Sequence, residues 1–367
     1  MAVELRHLIG LMEDLAPPRW AESWDSVGLQ VGDPGAEVSS VLVALDVTDC
    51  VLDQAQAQGA ELIVVHHPLL FHPLAEIRTD AGLGRRLGRL LAESRGVYAA
   101  HTNWDAAPQV GPAAVLAEAL GLRESRPLLP LPTEERLKLV TFLPVEDVPR
   151  VRRALAAAGA GVSGDYRECS FQVVGEGHFR APADAHPAVG EAGAENVAPE
   201  ARLEMVLPVA AEAAVVGALL ATHPYETPAW EVYPLRTAPS AAGYGRVGEL
   251  PEALTLEELA ERVRQAVGGG PVLVAGEGSV RRVAVLPGSG GSGVEAARAA
   301  GAQGYVTGEL DYHRALEAAE WGLSVVAAGH AETEAPALPR LAEALREALG
   351  DAVRVDVARA EPRWRAL

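Results

Sequence analysis

Short β-rich runs alternate with Ala-rich helical stretches at both ends of the chain, and this alternation restricts the fold more than any other feature. In the first third the runs are VLVAL at 41–45, ELIVVHH at 61–67 and GVYAAHT at 96–102. In the last third they are RRVAVLPG at 281–288, QGYVTGE at 303–309 and LSVVAAGH at 323–330. Strands separated by helices pair in parallel and are covered by those helices, so an α/β fold is expected, with two related segments forming one layered core. Between the segments, the Pro-rich PLLPLP at 127–132 reads as a linker. The pattern then changes to strand, helix, strand, strand, helix, strand: KLVTFLP, VEDVPRVRRALAAAG, ECSFQVVGEG, RLEMVLP, AAEAAVVGALLATHP and PAWEVYPL. That order predicts a ferredoxin-like α+β insert. The expected parts are therefore 1–128 (core, first part), 133–236 (insert) and 240–367 (core, second part). A length of 367 residues agrees with two or three domains of ordinary size.

A formal net charge of -19 opposes non-specific attraction to a phosphate backbone, which disfavours nucleic acid as a partner. Local metal ions or helix N-termini can still supply positive potential to an anionic nucleotide. Cys50 and Cys169 are the only cysteines, too few for a disulfide framework or a CxxC metal clip, so a reducing cytoplasm fits. The first twenty residues lack the basic and apolar regions of a signal peptide. The apolar stretch near 209–221 is broken by Glu212, so no membrane segment is expected.

Three of the runs end in groups that can bind metals. ELIVV leads into His66 and His67; GVYAA into His101 and, four residues on, Asp105; LSVVAA into His330 and then Glu334. Open α/β sheets place ligands beyond the carboxyl ends of their strands. Each group also has a plain structural explanation: a packed histidine pair, an aspartate capping a helix, a glutamate favoured by a helix N-terminus. Chance explains each singly but poorly explains all three together. His66, His67, Asp105, His330 and Glu334 exceed the three or four ligands that one catalytic zinc takes, so two divalent ions sharing a bridging carboxylate is the economical count. Imidazole and carboxylate suit zinc, iron and manganese alike.

The segments WDSVGLQVG at 24–32, VVHHPLLF at 64–71, HTNWD at 101–105, VTGELDYHRA at 306–315 and GHAETE at 329–334 resemble the Nif-three-like dinuclear metal proteins. That family is also known as GTP cyclohydrolase 1 type 2 and includes the YbgI and YqfO proteins. The resemblance implies that its metal ligands fall on the same five residues, with Glu334 as the bridge of an activated water and Asp105 beside it. It also implies a homohexamer, and HPYETPAWEVY at 223–233 is similar to the PII/CutA-like insert of longer members. Where members commonly carry Asp after the penultimate strand, this chain has Glu309, whose place near the site is left open.

The function expected is that of a metal-dependent hydrolase acting on a nucleotide or phosphate ester, with GTP cyclohydrolase as a named case. A non-enzymatic metal-handling or regulatory protein assembled through its insert is the alternative. A third reading comes from GSGGSG at 288–293, which matches a dinucleotide fingerprint and would make Gly288, Ser289 and Gly290 a phosphate loop of an oxidoreductase. The same glycines could serve only a tight turn. Asp25 is a turn or cap residue unless it reaches the metal cleft. Tyr312 and His313 stand near enough in sequence to touch it, and His223 with Glu226 fits a turn of the insert.

Overall fold

The computed structural model describes residues 2–80, 82–132, 136–236 and 240–359. The expected insert boundary at 133 and the last eight residues of the expected second core segment lie outside the described residues. The chain divides into one unit of 1–131 with 240–367 and another of 132–239.

The first unit holds two principal sheets. One runs in the order Arg354–Val357, Ser40–Ala44, Leu62–Val65, Gly96–Ala99, Gly28–Val31, parallel except at its last pairing. Its side chains alternate faces as a strand requires. Val41, Val43, Leu62 and Val64 pack beneath Leu5–Leu15 and Leu338–Leu349, while Leu42, Ala44, Ile63 and Val65 pack beneath Asp49–Gln58 and Gly82–Ala92. Both faces are covered, which explains why these strands are uniformly apolar.

The other sheet runs Leu273–Ala275, Ser324–Ala327, Gly304–Glu309, Ser279–Ser289, Gly243–Thr255, Arg123–Pro130. Only its centre, Ser324–Ala327 with Gly304–Glu309 and Gly304–Glu309 with Ser279–Ser289, is parallel. Here too alternation sorts the core: Val283, Val285, Val306 and Val326 face one way, and Ala284, Leu286, Tyr305 and Val325 the other.

Two strands depart from the sequence expectation. PLLPLP is no linker: Arg123–Pro130 pairs antiparallel with Gly243–Thr255 at the edge of the second sheet. An edge is where proline, lacking an N–H, is tolerated. Conversely, Arg354–Val357 from the far end of the chain joins the first sheet beside Ser40–Ala44. Each sequence segment thus lends an edge strand to the other's sheet, and the sheets interlock.

In the second unit the element order is Arg136–Leu143, the helix Val148–Ala157, Phe171–Arg180, Glu195–Pro208, the helix Glu212–Thr222 and Trp230–Leu235. The sheet is antiparallel throughout, with the last strand beside the first, the first beside the third and the third beside the second. Val151, Leu155, Val215 and Leu219 of the helices share a core with Leu139, Leu203 and Met205 of the strands. His223 Nε2 donates to the Phe142 carbonyl and its Nδ1 accepts from the Tyr225 amide, so it shapes a turn.

Candidate metal centre

Every expected ligand lies on the segment that leaves the carboxyl end of a strand, His66 and His67 directly at it and Asp105, His330 and Glu334 on the short helices that follow. The strand Leu62–Val65 stops one residue before His66, and the histidines hang on the neighbouring chain through His66 N to Ala44 O and His67 N to Leu45 O. Past the regular strand the strict alternation of side chains no longer holds, and the two rings lie 4.9 Å apart. In HTNWD each residue has a distinct task. Thr102 binds Asp25 through its amide and hydroxyl. Asn103 accepts from the His101 amide and donates to Ala16 O. Trp104, fully buried, donates to Val110 O and forms a floor whose ring is 5.1 Å from that of His66. Asp105 ends the one-turn helix Thr102–Asp105, so it is not the cap that sequence alone allowed. Gly329, at φ 94°, makes the turn that starts His330–Glu334.

These pieces meet around Glu334. Its Oε2 is 3.1 Å from His67 Nε2, and its Oε1 is 3.2 Å from His330 Nε2 and 3.6 Å from His66 Nε2. His66 Nε2 is also 3.6 Å from Asp105 Oδ1. All five expected residues are therefore brought together. Two groupings could each hold a metal ion: His67, His330 and Glu334, and His66, His67 and His101.

The orientation of the rings indicates what they are for. Each of four histidines donates its Nδ1 hydrogen to an acceptor: His66 to Ala100 O, His67 to Asp46, His101 to Asp25 and His330 to Glu309. This fixes the tautomer that leaves Nε2 as the donor atom, the arrangement of imidazoles that ligate metals. His66 Nε2 is buried without a hydrogen-bond partner among the described residues, 3.6 Å from oxygens of both Asp105 and Glu334. Buried polar atoms are seldom left so, and a cation between them supplies what the protein does not. The donor set thus fits a metal.

The electrostatics agree. Burial opposes charge on His66, but Asp105 and Glu334 outweigh it and raise its pKa. Burial also opposes charge on His67, yet hydrogen bonds to Asp46 and Glu334 lift it to about 10. His330 rises to about 9, chiefly through its hydrogen bond to Glu334. Burial works against ionised Glu334 as well, and the surrounding imidazoles still hold it well below the usual carboxylate range. Burial raises Asp105 against the pull of His66. For Asp25 burial is outweighed by His101 and Thr102, which bring it to about 2.

In chelator-stripped protein the protonated rings of His67 and His330 contribute stability that is complete below their ordinary pKa of 6.5 and disappears as pH rises through 9 and 10. Metal needs the neutral rings, so its binding strengthens over the same rise. Stripped protein is expected to melt several degrees lower at pH 10 than at pH 6.5, with metal addition restoring more at the higher pH. Scanning calorimetry in a chelating buffer measures both, and a pH-independent melting temperature would contradict it.

Sequence reasoning set three carboxylates aside or missed them. Asp25 reaches the centre through His101, Glu309 through His330, and Asp46, which was not singled out, through His67. A cleft of about 570 Å³ opens at His67, Glu309 and His330, with Ala44, Val51, Ala335 and Leu338 among its apolar walls and Thr48 among its polar ones. Tyr312 is 74% exposed and its ring meets His313, without a hydrogen bond to the ligands.

In the glycine-rich loop, two of the amides expected to meet a phosphate are already engaged. The amide of Gly288 is bonded to Thr333 Oγ1 and that of Gly290 to Glu309 O, so neither is free for a phosphate. The helix that follows, Val294–Ala299, has only six residues. The expectation of a phosphate there loses the amide donors at Gly288 and Gly290, and Gly288 lies against Glu334 and His330.

The family model described as Duf34/NIF3 (NGG1p interacting factor 3) matches residues 3–363. A Bacillus subtilis protein named GTP cyclohydrolase 1 type 2 homolog is 40% identical over 331 residues, 90% of this chain and 88% of its own. One of the same name from Mycobacterium tuberculosis is 38% identical over 363 residues, 97% of this chain and 95% of its own. Among solved structures, a Bacillus cereus protein related to NIF3 superposes with a TM-score of 0.76 at 35% identity, covering 100% of this chain and 99% of the other. No helix among the described residues is long and apolar enough to cross a membrane.

Proposed function

The chain belongs to the Duf34/NIF3 family, and from that premise we propose that it is a dinuclear metal-dependent hydrolase acting on a nucleotide or another phosphate-containing substrate. The observation that carries this reading is the buried carboxylate of Glu334, with imidazoles against both of its oxygens and an orphaned His66 Nε2 beside it. One position would be held by His67, His330 and Glu334 and a second by His66 and Asp105, with Glu334 spanning both. Divalent ions bound there supply Lewis acidity for a substrate oxygen and bring the pKa of a water toward neutrality.

The chain's own residues have separable roles in that reading. Glu334 and Asp105 offset the cationic charge. The apolar walls of the adjoining cleft exclude water around the substrate body. His101 donates to Asp25 at Nδ1 and, unlike the other three imidazoles, forms no ion pair with Glu334 or Asp105 among the described residues. In this reading its Nε2 is assigned the proton transfer, with Asp25 holding the ring in orientation. Hydrolysis at a phosphate ester and at a purine C8–N bond both use this set, and the relatives' names favour testing GTP.

The test is a screen of nucleotides and phosphate esters with metal-analysed wild type, Asp105→Ala and His101→Ala. Asp105→Ala is expected to lose metal and turnover together, and His101→Ala to keep its metal while turnover falls about 10²–10⁴-fold. Equal turnover in all three would sink the catalytic reading.

A second reading draws on the insert, where Phe171–Arg180 is an edge strand whose Phe171, Val173 and Val174 are exposed. Such an edge suits pairing with another chain. Its strand order and antiparallel pairing support a ferredoxin-like, PII/CutA-like assignment, and the resemblance supports a homohexamer. In that case the protein is a metal-handling assembly. Two bound ions with no turnover on any screened compound favour it.

A further inference from the structure

We infer that the chain carries a second ligand site, sharing no residue with the metal centre: a pocket lined by Arg246 and Arg340 that takes a small organic molecule with a carboxylate or phosphate head. Neither metal nor hydrolysis is needed for such a site.

The pocket, of about 370 Å³, lies within the first unit, where two helices meet the edge of the second sheet. Ala117 comes from Pro112–Ala119, Arg340 from Leu338–Leu349, Ser125 from the edge strand Arg123–Pro130 and Arg246 from its neighbour Gly243–Thr255. Its volume falls within the range of small-molecule sites. Arg246 is the exceptional group. It is only 6% exposed, and among the described residues its guanidinium has one hydrogen bond, from Nη2 to Pro108 O at 2.8 Å, and no ion pair. Burial lowers its pKa and no nearby carboxylate opposes that. A guanidinium stays charged in a protein, and a buried charge without a counter-ion is costly. The Pro108 carbonyl engages one of its donors, and an oxyanion in the pocket supplies both the missing charge and the paired acceptors that a planar fork matches.

Arg340 brings a second guanidinium to the same space, paired with Glu118 at 2.9 Å. That pair is solvent-exposed, and exposed pairs are weak, so Arg340 can turn from Glu118 to a ligand at little cost. With two arginines and one glutamate the lining is net positive, against a chain whose formal net charge is -19. The remaining walls say what the head is attached to. Ala114, Ala117 and Leu122 are apolar, and the space is larger than an oxyanion alone requires, so a carbon body fits beside them. Ser125 adds a hydroxyl at the rim.

The experiment is isothermal titration of the full-length protein with benzoate, glycerol phosphate and inorganic phosphate, before and after its metal is removed by chelation and dialysis. Benzoate or glycerol phosphate is expected to bind equally in both states, and the tighter of the two identifies the head. Inorganic phosphate should bind more weakly, since it leaves the apolar wall bare. Arg340→Ala should weaken binding about 10–100-fold through loss of a charged hydrogen-bond donor. Glu118→Gln should strengthen it about 2–5-fold by releasing Arg340 from its ion pair. Opposite effects from the two members of one surface pair, with melting temperatures unchanged, are not what a loss of folding produces. Binding that disappears with the metal would place the anion at the metal centre and overturn the inference. So would binding indifferent to both variants, or no binding of any probe, which would leave Arg246 as a tie between its strand and Pro108 and nothing more.

Discussion

Glu334→Ala is expected to leave the purified protein nearly free of divalent metal, where wild type is expected to carry about two ions per chain. The size of the effect follows from position. The Glu334 carboxylate approaches His66, His67 and His330 at once, so in the dinuclear reading its loss touches both positions. Removing it leaves these imidazoles facing one another without the charge that holds them together. Glu334→Gln separates the two consequences: it keeps the size and one acceptor oxygen, so it should fold better than the alanine variant while still losing metal. Elemental analysis after gel filtration gives the answer, and full metal content in the alanine variant would disprove the bridging role.

The site is legible in sequence to the extent that it follows one rule. Ligands collect beyond the carboxyl ends of parallel strands. Applied to three runs it brought out His66, His67, Asp105, His330 and Glu334. The same rule holds at two further strands: Asp46 follows Ser40–Ala44, and Glu309 is the last residue of Gly304–Glu309. His101 also stands just beyond its strand, Gly96–Ala99. Asp25 had no such signal, because its loop precedes the antiparallel strand Gly28–Val31 and only the tertiary fold brings it to Thr102 and His101.

The strands themselves were legible through their uninterrupted apolar runs, which burial on both faces demands. What the runs could not convey was partnership. Arg123–Pro130 carries two prolines and a polar start, and it is a strand only because Gly243–Thr255 offers its edge. Arg354–Val357 alternates charged and apolar residues at the opposite end of the chain from its partner. Both pairings join the two core segments, so no local pattern could announce them. The glycine loop is ambiguous for a related reason: a close approach to phosphate and a close approach to a carboxylate impose the same requirement on sequence.

That ambiguity yields the other large effect, expected in Gly288→Ala. Gly288 has φ 67°, a conformation costing a side-chain-bearing residue about 1–3 kcal/mol. An added Cβ would also lie 2.2 Å from Glu334 Oε1 and 3.2 Å from His330 Nε2, so the carboxylate must move off its imidazoles or the loop must shift. Neither is cheap, because Glu334 is buried and the Gly288 amide is tied to Thr333 on the same short helix. The variant is expected to lose most of its metal and to melt several degrees lower. Gly291→Ala, where a Cβ would meet nothing within 4 Å, is the control and should keep both metal and stability. A phosphate loop makes the opposite demand: substitution at Gly288 would spare the metal and weaken nucleotide binding alone. Metal analysis and calorimetry on the two variants therefore decide what the glycine is for, and full metal retention in Gly288→Ala would return the loop to nucleotide binding.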